Sequence, residues 1–456
     1  MRTRVCIMEK KKTRQLAMYD YKYEPHRVIF MIDMKSFYAS CECIRLGLNP
    51  MLTELVVMSR QPRSSFNSGL IMAASPMAKK KYPIKNVMRG RDLPNLKDAP
   101  GLKIVSPHMN LYIKRSMEVV QIFEKYAAPE DIHVYSIDES MIDMTKSWKL
   151  FGDDPYLVAR KIQKDIKDTL GLYTTCGIGE NPLLAKLAMD IEAKHNHSLV
   201  AQWHYIDVPD KIWRIKNLED VWGIGKRTVT HLKQLGINNM YELAHTNPTI
   251  LKKAFGVIGE QLFAMSWGVD RSIISHKYVP KSKSYSNSQV LPRDYYHQKE
   301  IEIVIREIGE QVAARIRAHG LRAGKVSLSI GYAYAALDYD ISRGSFAVQR
   351  KITPTSSNDD LVATLISLFR QNWERVPVRN IGVDYSSLSP DTSQQLNIFR
   401  DPTQEIKRRN LDHTVDQLRK KYGFSSVIKA SSLMKGATAV QRSQLVGGHN
   451  GGNAYE

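Results

Sequence analysis

The strongest constraint on this chain is that two of its most apolar segments run into carboxylates. Val28-Ile-Phe-Met-Ile32 carries no polar side chain and then meets Asp33. His133-Val-Tyr-Ser-Ile-Asp-Glu-Ser-Met-Ile-Asp143 reads as a second strand, interrupted by Asp138 and Glu139. A short continuous apolar run fits a fully buried strand. A carboxylate placed there is costly unless something compensates it. One such acid is satisfied by capping a turn or pairing with a lysine. Two strand-associated sites point further, because neighbouring carboxylates repel each other unless a cation stands between them. Magnesium takes hard oxygen ligands, few from protein and the rest from water and phosphate. Two such ions roughly 3.5–4 Å apart activate an attacking oxygen and stabilise a leaving one, which is the chemistry of phosphoryl and nucleotidyl transfer. Adjacent strands are therefore expected to bring Asp33 beside Asp138 and Glu139.

Charge narrows the partner. Against 46 acidic residues stand 66 Lys and Arg, a formal excess of +20 spread along the chain, and such an excess suits a polyanion, above all nucleic acid. The 43% apolar content is that of a globular protein and argues against disorder. Four cysteines in 456 residues make no disulfide framework. No apolar run approaches the roughly 20 residues of a membrane span. The charged start Met1–Lys12 has no signal-peptide core, so a cytoplasmic protein without membrane contact is expected.

The length predicts two to four domains. Residues 1–27 read as a loose basic arm. From 28 to 210 strand-like runs, such as Val28–Ile32 and Leu55–Met58, alternate with helical segments at 109–126 and 155–170. Residues 211–270 turn to short helical pieces punctuated by glycine, and 271–286 are a basic, Ser-rich linker. Residues 287–390 follow a β-α-β-β-α-β order. There a helix at 298–319 stripes Ile301, Ile305, Ile308, Val312 and Ile316, and a strand lines up Val326, Leu328, Ile330, Tyr332 and Tyr334. The tail 391–456 holds one helix near 403–421.

Within the glycine-punctuated region, Asp220-Val-Trp-Gly-Ile-Gly-Lys-Arg-Thr-Val229 has the form of a helix–hairpin–helix. Gly223 and Gly225 permit a tight turn into a helix, and Lys226 and Arg227 add charge at its start, where backbone N–H groups suit a phosphate. Val229, Leu232 and Leu235 would pack the helix. Such an element grips a nucleic-acid backbone without reading sequence.

Four segments occur in order: Asp33-Met-Lys-Ser-Phe-Tyr-Ala-Ser-Cys-Glu42, Ser136-Ile-Asp-Glu-Ser-Met-Ile-Asp143, Thr174-Thr-Cys-Gly-Ile-Gly-Glu-Asn-Pro-Leu-Leu-Ala-Lys-Leu-Ala188 and Val221-Trp-Gly-Ile-Gly-Lys226. Together they resemble the Y-family DNA polymerases, the translesion enzymes, in the UmuC/ImpB/MucB form of Gram-positive bacteria and their mobile elements. The resemblance spans residues 28–450. It implies an α+β multidomain, right-hand polymerase with palm and fingers at 28–210 (fingers about 45–105), a helix–hairpin–helix thumb at 211–270 and a little finger at 287–390. It implies an error-prone DNA polymerase that adds deoxynucleotides to a primer opposite damaged template, in DNA repair and SOS mutagenesis.

The resemblance also carries roles. Asp33 and Asp138 would bind two Mg2+ ions with the Met34 carbonyl, and Glu139 would complete the acidic set. Tyr38 would be the steric gate against a ribose 2′-hydroxyl, with Phe37 beside it at the deoxynucleoside triphosphate. Lys186 would meet the triphosphate. Gly223, Gly225 and Lys226 would hold primer–template DNA. The fingers depart from the family pattern: where many relatives carry Asn-Tyr-x-Ala-Arg-Lys, this chain has Ala74-Ser-Pro-Met-Ala-Lys-Lys-Lys81. Lys79 takes the place of an arginine and lacks its bidentate fork; Lys80 or Lys81 would share its phosphate. Gln395-Leu-Asn-Ile-Phe399 resembles the peptide by which bacterial polymerases bind their sliding clamp, through Gln395, Leu396, Ile398 and Phe399. Some relatives work with an accessory subunit or a recombinase filament, which makes such a partner an expectation here. The competing readings are a catalytically silent DNA-binding regulator on the same fold and a nucleotide cyclase on a related palm. The three acids oppose the first; the hairpin, the basic little finger and the clamp-like peptide oppose the second.

Overall fold

The computed structural model describes residues 20–60, 69–95, 97–339, 344–392, 401–447 and 449–450. They form two compact units, one of Leu70–Lys277 with the residues through Met58, the other of Tyr278–Gly452 with Ser59–Gly69.

In the first unit, strands β1 (Ile29–Met34), β2 (Leu55–Ser59), β3 (Leu70–Ala74), β4 (Lys103–Val105), β5 (Ile132–Val134), β6 (Glu139–Asp143), β7 (Thr174–Gly179) and β8 (Val200–Trp203) make two sheets. One has the order β5-β6-β1-β7-β8, the other β3-β2-β4. Central β1 pairs antiparallel with β6 and β7, and Ile29 to Ile32 are fully buried. That accounts for its unbroken apolar run: a strand covered on both faces has no alternation to show. The stretch 133–143, expected as one strand, is a hairpin instead. The amides of Tyr135 and Ser136 both donate to the Glu139 carbonyl, at 2.9 and 3.0 Å, so the chain reverses just where the acids stand. A turn leaves polar groups at a sheet end, where a continuous strand would bury them.

The helix Pro155–Leu170 falls on the predicted residues. Asp154 caps it by accepting from the Tyr156 amide, proline opens it, and Gly171 closes it in the left-handed region at φ 71°. The helix Pro182–Leu187 lies so close on β7 that a Cβ at Gly177 would stand 2.0 Å from the Ala185 carbonyl oxygen, and only glycine permits that approach. Helices Lys226–Gln234, Met240–His245, Pro248–Phe255 and Val257–Ser266 share a core of Leu232, Leu243, Leu251 and Phe263. Residues 20–27, expected within the loose arm, are fastened to this part of the unit. The Tyr21 hydroxyl donates to the Trp267 carbonyl at 2.8 Å, Arg27 donates to the Ser272 carbonyl at 2.6 Å, and Glu24 pairs with Arg271.

The second unit runs β9 (Tyr285–Tyr295), helix Gln298–Ala318, β10 (Leu321–Tyr332), β11 (Ser345–Thr355), helix Asn358–Asn372 and β12 (Val378–Pro390). Its antiparallel sheet has the order β11-β10-β12-β9, with the striped Ile301, Ile305, Ile308, Val312 and Ile316 buried in its core. Tyr334, expected on the β10 stripe, lies past the strand end and is 93% exposed. The helix Pro402–Tyr422 docks on this unit through Arg317, whose Nε donates to Asp416 at 2.7 Å. No described helix is long and apolar enough to cross a membrane.

Candidate active site

The acids converge. In the β1–β6 register Asp33 stands directly opposite Glu139, and residues so paired share a face. The Met34 amide donates to the Asp138 carbonyl at 2.9 Å, which stitches the end of β1 to the turn holding Asp138. The Ser136 hydroxyl donates to Asp138 Oδ1 at 2.9 Å, and Ser136 Oγ accepts from the Glu139 amide at 3.1 Å, so one serine fixes the turn that carries two carboxylates. Burial pushes the Asp33 carboxyl up to about 7; Lys194 opposes the shift, while Glu139 and Asp138 reinforce it. Asp138 is raised as well, chiefly by burial, with the Ser136 hydrogen bond opposing.

Two lysines now supply the positive charge. Lys194 Nζ lies 3.1 Å from Asp33 Oδ2 and 2.8 Å from Asp190. Lys186 Nζ donates to Glu139 at 2.7 Å and lies 3.2 Å from Asp190. Among the described residues no three acidic, histidine or cysteine side chains close into a finished metal cage. The donor set nevertheless fits a hard divalent cation: oxygen ligands only, and short of a full shell, as such a cation requires when water and phosphate complete it.

The placement of the other expected residues is mixed. Tyr38 is half-buried, one face stacked on Tyr112 with ring centroids 4.4 Å apart. Phe37, expected at the nucleotide, is 2% exposed and packs edge-on against Tyr112. Lys186, expected at the triphosphate, is buried and engaged by Glu139 and Asp190. The lysine that reaches Asp33 is Lys194, which the motifs did not single out. It lies two helical steps beyond Lys186, where Ala188–Ala193 widens into a π turn. Lys79 is exposed on the short helix Pro76–Lys81. The surrounding protein lowers its ammonium from the ordinary lysine value and the charge of Asp33 opposes this, which puts Lys79 within electrical reach of the acids. Lys81 pairs with Glu54.

In the helical part, Gly223 adopts φ +90°, Gly225 caps the helix Lys226–Gln234, and both glycines and Lys226 are exposed. Val229 and Leu232 are buried there, whereas Leu235 is 39% exposed and does not share their packing. Trp222, also missed, donates from Nε1 to the Tyr135 hydroxyl at 3.0 Å, and the Lys186 ammonium lies 6.0 Å from the Tyr135 ring centre. The hairpin thus touches the turn that presents the acids. Residues Gln395, Leu396, Ile398 and Phe399 lie outside the described residues.

An acid-bearing palm built on a mixed sheet, a small sheet with a lysine-bearing helix, a helix–hairpin–helix and a β-α-β-β-α-β domain together define a right-hand DNA polymerase. Residues 32–190 match the impB/mucB/samB family and residues 282–398 its C-terminal domain. The chain is 37% identical over 433 residues to the putative UV-damage repair protein UvrX of Bacillus subtilis, covering 95% of this chain and 100% of that one. It is 34% identical to DNA polymerase IV 2 of the same organism, covering 93% of this chain and 98% of that one. A solved Y-family DNA polymerase chimera shares its fold with a TM-score of 0.63 at 22% identity, over 79% of this chain and 98% of the other. The chain belongs to the impB/mucB/samB family.

Proposed function

We propose that this chain extends a primer 3′ end with deoxynucleotides opposite damaged template, using two Mg2+ ions at Asp33, Asp138 and Glu139. The observation that carries the reading is the β1–β6 register, which sets Asp33 against Glu139 with Asp138 in the adjoining turn. The metal, when bound, would lower the cost of the attacking and leaving oxygens. The chain's own residues do the rest. Asp33, Asp138 and Glu139 hold the negative oxygens that receive it, with the Met34 carbonyl at the strand end. Ser136 keeps Asp138 aimed. Lys79 and Lys194 offer ammonium groups to the triphosphate, and Lys186 joins them once Glu139 releases it. Tyr38 presents its ring to the sugar. Gly223, Gly225 and Lys226 take the DNA backbone.

Gln395-Leu-Asn-Ile-Phe399 offers an amide and three apolar side chains to a sliding clamp. An accessory subunit or recombinase filament would act in the same DNA-damage setting.

The test is primer extension across a single abasic site by the purified chain with Mg2+, with and without a clamp. The parent protein is expected to pass the lesion. Asp138→Ala is expected to lose at least about 10²-fold in rate while keeping its affinity for primer–template. Synthesis by Asp138→Ala near the parent rate would refute the role given to the acids, and no extension by the parent would favour a silent DNA-binding protein.

A further inference from the structure

Glu42 is the most deeply buried of the described carboxylates outside this chemistry. Glu42 sits one helical turn beyond Tyr38 on the helix Phe37–Arg45, with no exposed surface. Its Oε1 accepts from the Tyr112 hydroxyl at 2.6 Å and stands 2.9 Å from His108 Nδ1, and its Oε2 accepts from Arg45 Nε at 2.8 Å. Tyr112 is fully buried as well, and its ring stacks on that of Tyr38 at an interplanar angle of 16°. Phe37 closes the same cluster, 6.4 Å from Tyr112 and 5.9 Å from Tyr38.

A wholly buried carboxylate is a poor way to fill space. Apolar residues of similar volume in place of a buried charge network are often neutral or stabilising. What a fully satisfied polar network does supply is a single orientation for its members. Here the member whose orientation bears on the site is Tyr112, because its ring lies stacked on the face of Tyr38. A gate made of one ring discriminates by where that ring stands, and a displacement on the order of 1 Å is enough to change a rate about 10²-fold.

We propose that Glu42 and Tyr112 are positioning residues that fix the Tyr38 ring from behind, and so set how strictly this site refuses a ribonucleotide. The proposal rests on Tyr38 being the sugar gate. Glu42 pins the Tyr112 hydroxyl, Tyr112 backs the Tyr38 ring, and Tyr38 is thereby prevented from retreating to admit a 2′-oxygen.

The test compares single-nucleotide insertion of ribo- and deoxynucleoside triphosphates on undamaged primer–template by the parent, Tyr38→Ala, Tyr112→Leu, Tyr112→Phe and Glu42→Gln. Tyr112→Leu removes the stack and is expected to raise ribonucleotide efficiency relative to deoxynucleotide efficiency by at least about tenfold. Tyr112→Phe keeps the ring and frees it from Glu42, so it shifts the ratio the same way by at least about threefold. Glu42→Gln should match Tyr112→Phe. If it fails to fold, Tyr112→Phe, which loses a single oxygen, decides. A merely structural role lowers both efficiencies together and leaves their ratio in place. If Tyr38→Ala loses discrimination and the Tyr112 variants keep it within about twofold, this inference falls and the gate reading stands. If Tyr38→Ala keeps its discrimination, both fall.

Discussion

At the scale of single residues the site is a balance of charge, and Lys194 holds it. Burial works to lower the Lys194 ammonium, yet Asp33 and Asp190 outweigh burial and hold it above the ordinary lysine value. Lys194→Met leaves Asp33, already pushed up to about 7, beside Glu139 and Asp138 with that counter-charge gone. The metal-free protein should lose roughly 1–2 kcal/mol, less than a deeply buried pair would cost because Lys194 is partly solvated and Asp33 can take up a proton. A divalent cation should restore part of the loss, since a ligand that binds only the folded state stabilises it. Thermal unfolding in chelator and then in Mg2+ checks both halves; an unshifted midpoint in chelator would remove Lys194 from the balance. The three acids were legible in the sequence because a carboxylate against an apolar run is a contradiction visible within a few residues. Lys194 was not, because its reach to Asp33 depends on a widened helical turn that no local pattern announces.

Single elements divide the same way. Gly223 and Gly225 look equivalent in Val221-Trp-Gly-Ile-Gly-Lys226, and the structure gives them different reasons. Gly223 adopts φ +90°, and an added Cβ would stand 3.0 Å from Met265 Cε, so its substitution is strained whatever the space. Gly225 has φ −90°, and a Cβ there meets nothing within 4 Å. Gly223→Ala should therefore cost about 1–2 kcal/mol in thermal unfolding. Gly225→Ala should cost under about 1 kcal/mol, the difference between glycine and alanine as a helix cap. It should still weaken primer–template binding severalfold, because a methyl group in open space obstructs only what arrives from outside. Fluorescence anisotropy on labelled DNA separates the two, and unaltered affinity in Gly225→Ala would move the backbone contact elsewhere. The helix Pro155–Leu170 was legible to the residue because cap, proline and closing glycine are all local. The β5–β6 hairpin was not, because its turn has neither Gly nor Pro and is held by Ser136 and the Glu139 carbonyl.

For the whole molecule, the least legible part was the tail. The tail from 391 on shows one helix in its sequence, and that helix does form, at Pro402–Tyr422. It docks by its polar side. Arg317, buried within the helix Gln298–Ala318, binds Asp416 at 2.7 and 3.2 Å, stands 3.8 Å from Asp412, and donates to the Ser356 carbonyl at 2.7 Å. The Asn358 amide donates to Asp412 at 3.1 Å, and Arg409 donates to Asp391 at 3.0 Å. Further along, the Thr438 amide donates to Glu307, and Tyr295 donates to the Gly436 carbonyl. Leu411 and Tyr422, the kind of side chains that usually mark a docking face, are 62% exposed. Hydrophobic periodicity points the helix the wrong way, which is why the sequence concealed its attachment. If the polar face holds the helix, Arg317→Met should release it while the sheet beneath keeps its core. Asp412 and Asp416 retain some water, so the loss should be about 2–3 kcal/mol, less than a fully buried pair would lose. Since 1.4 kcal/mol is a factor of ten, the amides of this helix should exchange hydrogen about 30- to 140-fold faster than in the parent, and amides of β10 and β12 at nearly the parent rate. Uniform acceleration over the unit would mean that Arg317 supports the core as a whole, and no acceleration would mean that apolar contacts hold the helix after all.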